Sequence, residues 1–379
     1  MMKIKIPALT IVAAMPCCLL SSNINNNENY KELKEKVTNT IQRFFGKNQQ
    51  FKYIKNLNNE YLYIQCSNYY AIVDKNDFSI TEIKKGFHSY NENIKYNFNY
   101  LEKENKNFNE LRMAYKKDYF SPVLEDKLDT LPNISNMVKN SWWWATRNTM
   151  QKVGYVDQTF LSDKYNDTSG LCEYVAISNI LLYNELFNQS GIFTNEEFND
   201  FFKYDNYDDS IENSSPIFRY YQYDHPDYSL VAKLWRLNKR WLDFYAYNSY
   251  TYPIDKFLNN KEAKNKYEYD YKKGAYYYKA TENIKNNNPV IVSTAKTMHA
   301  FIIYGYDEET QMVLLNWLWG NNDSIVLVNY WKLAASGSPL KIIFTMRPKA
   351  NQNLVTKKLF NYKNNMHTGE EMRKLINEN

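Results

Sequence analysis

Hydrophobic residues repeat with a helical period early in the chain and then change to short strand-like runs. Between Lys31 and Phe45, apolar side chains recur every three or four positions with Lys and Glu between them, which predicts an amphipathic helix. Four short runs follow, FKYI, EYLYIQ, YYAIVD and FSITEI, separated by NLNN, CSN and DKND. Aromatic and β-branched runs between turn-forming residues predict an antiparallel meander. The first structured part of the chain should therefore be one helix followed by a small sheet.

The larger remainder of the chain shows helical periods first and strand-like runs afterwards. Residues 87–112 are polar and rich in asparagine, which predicts a connector. Helical spacing recurs after Cys172, after a capping box at Thr194–Glu197 and from Ser229 to Tyr247. The later runs are PVIVST, HAFIIYGYD, QMVLLNWLWG, SIVLVNYW and KIIFTM. Helices followed by strands predict an α+β arrangement with a helical lobe and an antiparallel β lobe.

These patterns divide the chain into four parts. We expect a leader at 1–22, a small α+β domain at 23–123, a larger α+β domain at 124–350 and a polar tail at 351–379. The tail is rich in Lys, Asn and Glu. We expect it to be a solvated helix or a loose end without chemistry of its own.

The leader has the layout of a secretory signal peptide. Lys3 and Lys5 precede an apolar run from Ile6 to Leu20. This run is shorter than the ~20 residues that span a membrane comfortably, and no later stretch of the sequence reaches that length. We therefore expect a secreted or cell-surface protein, which contacts a membrane only if the leader is retained or if Cys17 or Cys18 carries a lipid.

Composition excludes several classes of partner. With 44% hydrophobic and 17% aromatic residues, the 379-residue chain is globular rather than disordered. A net charge of +5 is not concentrated in a basic stripe, so we expect no nucleic-acid partner. No GxGxxG or Walker loop is present, and the four histidines and four cysteines lack the spacing of a metal site. We therefore expect no cofactor and no metal. Cys66 is interpreted as a small semi-buried residue of the meander.

Cys172 is the candidate nucleophile. It follows residues that commonly cap helices and a glycine that allows close backbone approach, namely Asp167, Thr168, Ser169 and Gly170. Apolar residues then recur at helical spacing, which places Cys172 in the first turn of a helix. The unpaired amides and positive end of a helix favour a thiolate over a thiol. The alternative is a buried cysteine on an apolar helix.

His299 and Asn316 are the candidate partners of Cys172. His299 begins a strand in HAFIIYGYD, and Asn316 lies on the next strand in LLNWLWG. The side-chain carbonyl of Asn316 can accept a hydrogen bond from an imidazole and fix its tautomer, with Trp317 and Trp319 shielding that bond. A cleft between the two lobes would bring the three residues together. The alternative for an isolated histidine of this kind is a packed or hydrogen-bonded structural role.

These motifs resemble those of papain-like cysteine peptidases, and most closely the streptopain-like group. The resemblance consists of the order Cys172, His299, Asn316, a Gly-x-Cys at a helix start, HAFIIYGYD and Asn-Trp-x-Trp-Gly. It extends to the helix VAKLWRLNKRWLDFYAYNSY and to the N-terminal helix and meander, which look like the pro-region of a zymogen. It covers most of the chain from Tyr30 to Pro348.

The resemblance implies a papain-like two-lobe fold and hydrolysis of protein or peptide substrates through an acyl-enzyme. Cys172 would attack the peptide carbonyl, His299 would act as base and acid, and Asn316 would orient His299. The N-terminal region would block the cleft of the zymogen; the alternative is a permanent accessory domain, because no cleavage site can be read from the sequence. Two alternatives remain: a non-catalytic surface binding protein on this fold, and a cysteine-dependent acyltransferase or amidase.

The sequence also departs from the family pattern. Papain-like enzymes place a glutamine before the cysteine as a donor to the oxyanion, and this chain offers Asn166 or Gln158 instead. Asn321 stands where streptopain-like sequences tend to have a glycine. Glu173, directly after the nucleophile, would disfavour a thiolate if it pointed inward, and we expect it to point to solvent.

Overall fold

The computed structural model describes much of the chain outside the leader and the segments on either side of residues 133–138. The described residues are 26–46, 48–56, 59–85, 133–138, 171–206, 211–219, 228–238, 247–274, 276–294, 299–316, 318, 326–335 and 341–377. The leader, Gln158, Asn166, the capping residues 167–170, Trp317, Trp319 and Asn321 lie outside them. Our expectations about those residues stay predictions.

Eight helices lie within the described residues. They are α1 (Asn26–Phe45), α2 (Leu171–Phe187), α3 (Asn195–Phe201), α4 (Leu230–Asn238), α5 (Tyr247–Phe257), α6 (Tyr277–Lys285), α7 (Tyr330–Ala335) and α8 (Gly369–Asn377). None of them is long and apolar enough to cross a membrane. A 3-10 helix, Glu262–Lys266, precedes the eighth strand.

Eleven strands form one large antiparallel sheet. They are β1 (Phe51–Asn56), β2 (Tyr61–Cys66), β3 (Tyr69–Asp74), β4 (Ile80–Lys85), β5 (Asn136–Met137), β8 (Tyr267–Lys273), β9 (Val290–Thr294), β10 (His299–Tyr306), β11 (Met312–Asn316), β12 (Val326–Asn329) and β13 (Lys341–Pro348). Their order is β1-β2-β3-β4-β12-β11-β10-β9-β13-β8, and β5 pairs with the end of β10. The chain is therefore a mixed α+β protein with an antiparallel sheet.

The predicted N-terminal helix and meander are confirmed. Leu33, Val37, Ile41 and Phe44 form the apolar stripe of α1, and all four are buried. The four predicted strand-like runs correspond to β1–β4, which pair as successive antiparallel neighbours. The meander does not stand apart from the rest of the fold, because β4 pairs with β12. The predicted 23–123 region and the predicted larger domain thus share one sheet.

Helix α2 lies at the centre of the larger part of the protein. It packs against β9, β10 and β13 on one side and against α4 and α5 on the other. From Glu173 onward its side chains are buried all round, including the polar ones. Two of these polar side chains bond within the helix: the Ser178 hydroxyl and Asn179 Nδ2 donate to the backbone oxygen of Val175. A helix covered on every side holds its first turn in a fixed position.

The C-terminal tail contains a helix, one of the two alternatives we expected, and most of its residues are exposed or half-buried, but it also packs onto the fold. The tail forms a hairpin, β14 (Phe360–Tyr362) and β15 (Asn365–His367), which joins β6 (Phe202–Asn206) and β7 (Ser214–Phe218) in a second sheet. Helix α8 then packs against α2. Two apolar residues of this polar segment, Phe360 and Met372, are buried. The ring centroid of Phe360 lies 5.2 Å from that of Phe187 in α2.

Candidate active site

Cys172 is the second residue of α2, as the sequence predicts. Its side chain is partly exposed and packs against the edge of the main core. The residue is a thiol rather than half of a disulfide. The amides of a first helical turn have no partner within the helix, and their partial positive charge stabilises an anion beside them. This position therefore favours the thiolate form and leaves it accessible to a ligand.

The C-terminal half of α2 marks one end of the sheet. The Tyr183 hydroxyl donates to the backbone oxygen of Asn287, shortly before β9 begins. Asn184 Nδ2 donates to the backbone oxygen of Met346 near the end of β13, at 3.0 Å. Cys172 lies three turns of helix, about 16 Å, before Tyr183. The helix start therefore lies toward the opposite end of these strands.

His299 lies at that opposite end. It is the first residue of β10 and pairs with Thr294, the last residue of β9, whereas Ile303 pairs with Val290, the first residue of β9. Four residues of strand separate the two pairs by roughly 13 Å. Since α2 contacts both β9 and β10, and its Tyr183 end lies toward the start of β9, we infer that Cys172 and the backbone of His299 lie toward the same end of these strands. The side chain of His299 is outside what the structure describes.

Asn316 ends β11 at this same end of the sheet. It pairs with Ile302 and is buried. Its Oδ1 accepts a hydrogen bond from the backbone amide of Leu318 at 2.7 Å. An amide oxygen has two lone pairs, so one remains for a second donor. His299 lies three residues, roughly 10 Å of strand, from Ile302. The predicted hydrogen bond between Asn316 and the imidazole of His299 stays a prediction.

Leu318 has a strained backbone next to the candidate site. It is buried, with φ of 60°, a left-handed conformation that costs a residue with a Cβ about 1–2 kcal/mol. The bond from its amide to Asn316 holds the chain in this turn as it leaves β11. Conformations of this kind concentrate at functional sites. Nothing in the sequence pattern indicated it, because leucine has no preference for positive φ.

Glu173 contradicts our expectation that it points to solvent. It is buried, and its charge acts on Tyr271 of β8. Burial raises the pKa of the Tyr271 hydroxyl, and the Glu173 carboxylate raises that pKa further. A buried carboxylate beside Cys172 opposes formation of the thiolate, whereas the helix end favours it.

Tyr250 and Ser293 link the helices to the sheet near His299, and sequence reasoning missed both. Ser293 of β9 lies opposite Ala300, the neighbour of His299. The Tyr250 hydroxyl of α5 shares a buried hydrogen bond with the Ser293 hydroxyl, and the Tyr250 ring stacks on Phe344 with centroids 4.8 Å apart. This contact fixes the distance between α5 and the strand next to His299. The sequence offers no motif for it.

The remaining predictions concern the two oxyanion donors, Cys66 and metal ligands. The backbone amide of Cys172 lies in the first turn of α2, where it can donate to an oxyanion. The second donor, Asn166 or Gln158, lies outside the described residues and stays a prediction. Cys66 is fully buried at the end of β2, and burial raises the pKa of its thiol to about 11. Among the residues that the structure describes, no group of three or more His, Cys, Asp or Glu side chains is arranged to hold a metal ion.

Comparisons with known proteins give one structural similarity. No family model and no curated protein matches the chain. Among solved structures, the chain is similar to a fragment of prointerpain A from Prevotella intermedia, a cysteine-to-alanine mutant. The match has 13% sequence identity and a TM-score of 0.40, and it covers 78% of this chain and 98% of that one. A similarity of this size adds no argument about the function of this chain.

Proposed function

We propose that the protein is a cysteine endopeptidase, with Cys172 as nucleophile, His299 as base and acid, and Asn316 as the residue that orients His299. The observation that carries the proposal is the placement of these residues in the fold. The contacts of α2 with β9 and β10 and the pairing of β10 with β11 support a common location for the first turn of α2, the start of β10 and the end of β11. Protein or peptide chains would be the substrates.

The reaction would proceed through a thioester. His299 takes the thiol proton, and the Cys172 sulfur attacks the carbonyl carbon of the peptide bond. The carbon–nitrogen bond then breaks, and His299 gives its proton to the leaving amine. Water, deprotonated by His299, attacks the thioester, which releases the carboxylate product and restores the thiol. The backbone amide of Cys172, together with Asn166 or Gln158, would stabilise the oxyanion in both steps.

The proposal includes export and synthesis as a zymogen of the streptopain-like kind. Its support is the signal-peptide layout of residues 1–22 and the helix and meander that precede the candidate catalytic part. Lys84, the last residue but one of β4, pairs with Val326 of β12. Val326 pairs in turn with Leu315 of β11, the residue before Asn316. The N-terminal region therefore reaches the end of the sheet that carries the candidate site. A chain cleaved between residues 86 and 132 should hydrolyse peptides faster than the intact chain.

One observation favours a non-catalytic binding protein as the second candidate. The buried carboxylate of Glu173 lies next to Cys172 and opposes the thiolate that a peptidase needs. In that case the cleft would hold a peptide without cleaving it. Cys172 would then be an ordinary thiol at a helix start.

Cleavage of a peptide mixture separates these functions. The protein and its Cys172→Ala and His299→Ala variants are incubated with a proteome-derived peptide mixture, and new termini are identified by mass spectrometry. The proposal expects new termini from the unaltered protein and a loss of at least ~10³-fold in both variants. Equal cleavage by Cys172→Ala would refute it. Peptide binding without cleavage would support the second candidate, and amine adducts in excess of hydrolysis products would indicate an acyltransferase.

A further inference from the structure

The described residues between positions 26 and 85 are built into the sheet that carries the candidate site. We call them the N-terminal module. Strand β4 of the module and β12 pair in register, with Lys84 opposite Val326, Ile83 opposite Leu327 and Glu82 opposite Val328. Ile83 and Leu327 are both buried. The module thus supplies the neighbour that satisfies the backbone of β12 on one side.

A charged contact lies beside the β4–β12 pairing. We call this boundary between the N-terminal module and the rest of the protein the seam. Lys332 of α7 donates to Asp74, the last residue of β3, at 3.0 Å and to Asp77, in the turn that follows, at 2.7 Å. Asp74 is buried in this contact. Burial alone would raise the pKa of Asp77, but Lys332 and Ser79 outweigh burial and lower that pKa to about 2. One lysine therefore binds two carboxylates across the seam.

A second charged contact lies at the other end of the module. Arg43, near the end of α1, contacts Asp307 at 3.2 Å and Glu309 at 2.7 Å in the β10–β11 hairpin. Asp307 is also held by Ser135 and by Thr310. The arginine therefore attaches the module to the hairpin whose two strands carry His299 and Asn316.

Apolar contact runs through the seam as well. The stripe of α1 and the inner face of the meander belong to the same continuous hydrophobic core as β11, β12 and α2. If the N-terminal module dissociated, its apolar face would be exposed to water. Strand β12 would also become an unpaired edge strand. Both outcomes are unfavourable, because apolar surface and free strand edges promote association rather than release.

We propose that the N-terminal module is a permanent part of the mature protein, so that a cut between residues 86 and 132 produces two fragments that stay bound. The partner of the β12 edge is this chain's own β4. Activation by cleavage would then act without departure of the module. This inference goes beyond the proposed function, and its first test does not depend on activity.

The test uses the full chain with a recognition sequence for a site-specific protease inserted between residues 100 and 101. After complete cleavage, the sample is analysed by size-exclusion chromatography and native mass spectrometry at about 0.15 M and about 1 M NaCl, where the Debye length falls to ~3 Å. We expect both fragments in one complex at both salt concentrations, since strand pairing and apolar contact are weakly screened. Separate elution of the N-terminal fragment at about 0.15 M NaCl would overturn the proposal.

Charge reversal tests whether the seam is the one described. The double variant Arg43→Glu and Lys332→Glu places negative charges opposite the four carboxylates of the seam. The control is Lys36→Glu, on the same helix as Arg43, because Lys36 donates to Phe78 within the module. For the cleaved protein, we expect the double variant to raise the Kd of the two fragments at least ~10-fold over the control. An equal Kd in the two would contradict the assigned contacts.

Activity is read separately from retention. A cleaved complex that stays together and hydrolyses peptides supports both the retention and the proposed function. A complex that stays together but is inactive contradicts the proposed function and leaves the retention intact. Hydrolysis only by a fraction that has lost the N-terminal fragment would overturn the retention while supporting a peptidase.

Discussion

Replacing Asp307 with asparagine should weaken the attachment of α1 to the hairpin between β10 and β11. Asp307 follows β10 directly and is buried. Its carboxylate accepts from the Ser135 hydroxyl, from the Thr310 hydroxyl at 2.7 Å and amide at 3.0 Å, and from Arg43 at 3.2 Å. The substituted side chain would keep the size of the original but only one accepting oxygen, and its NH2 group would face groups that also donate.

The size of the effect follows from these bonds. A hydrogen bond to a charged group contributes about 1.5–3 kcal/mol and a neutral one about 0.5–1.5 kcal/mol. The one bond from Ser135 and the two bonds from Thr310 should each lose about 1 kcal/mol, so D307N should lower the free energy of unfolding by about 3 kcal/mol. Because Arg43 is partly exposed, we assign its pair with Asp307 less than ~1 kcal/mol.

The pH dependence has a defined sign. Burial alone would raise the pKa of Asp307, but the bonds from Ser135 and Thr310 and the charge of Arg43 lower it. A carboxyl whose pKa is lowered by folding stabilises the protein above its ordinary pKa of 3.8 and loses that contribution as the pH falls through the folded value. The difference between the unaltered protein and D307N should therefore be full at neutral pH and shrink in acid.

Urea denaturation at pH 7, followed by tryptophan fluorescence and circular dichroism, measures this difference. The matched control is Glu309→Gln, which removes the exposed carboxylate on the same arginine and should leave the midpoint unchanged. A D307N midpoint equal to that of the control would refute the reasoning. So would a stability difference between D307N and the unaltered protein that grows in acid.

Three further substitutions probe the candidate site and its support. Glu173→Gln should lower the pH of half-maximal Cys172 alkylation by about 1 unit, since it removes a buried like charge from the residue that follows the thiol. No shift would show that Glu173 is neutral or remote. Tyr250→Phe should lower kcat more than the control Tyr269→Phe. The control removes the 2.8 Å bond from the Tyr269 hydroxyl to Asp255 of α5, which lies farther from the site. Equal effects of the two substitutions on kcat would make Tyr250 merely structural. Gly369→Ala should destabilise the protein by about 1–3 kcal/mol, because its Cβ would lie 2.1 Å from a backbone oxygen of α2; an unchanged urea midpoint would contradict the packing of α8.

The parts of the fold predicted from sequence are those with a local signal. Helix α1 and the meander β1–β4 follow the alternation and periodicity of their own residues. The helix that begins at Leu171, one residue before Cys172, matches the spacing of the apolar residues behind it. The capping box at Thr194 is formed in the structure as predicted. In each case the residues that specify the element lie within the element or next to it.

The missed features depend on contacts between distant parts of the chain. Pairing of β4 with β12 joins residues more than 200 positions apart, and no local pattern encodes it. The C-terminal hairpin uses Phe360 as a single apolar anchor among polar residues, so its composition suggested a solvated tail. Glu173 is buried, although a charged residue in a first helical turn is usually solvated. The sequence indicated which residues are candidates for the site. The structure was needed to infer that they lie toward the same end of the sheet.

The most direct test of the central claim is the rate of Cys172 alkylation by iodoacetamide as a function of pH. It is measured by peptide-mapping mass spectrometry on the cleaved protein, with Cys66 as an internal control because burial raises its thiol pKa to about 11. We expect rapid labelling of Cys172 at pH 6, slow labelling of Cys66, and loss of the rapid labelling in His299→Ala. Labelling of Cys172 that appears only above about pH 8.5, the range of an ordinary thiol, and is unchanged in His299→Ala would contradict it.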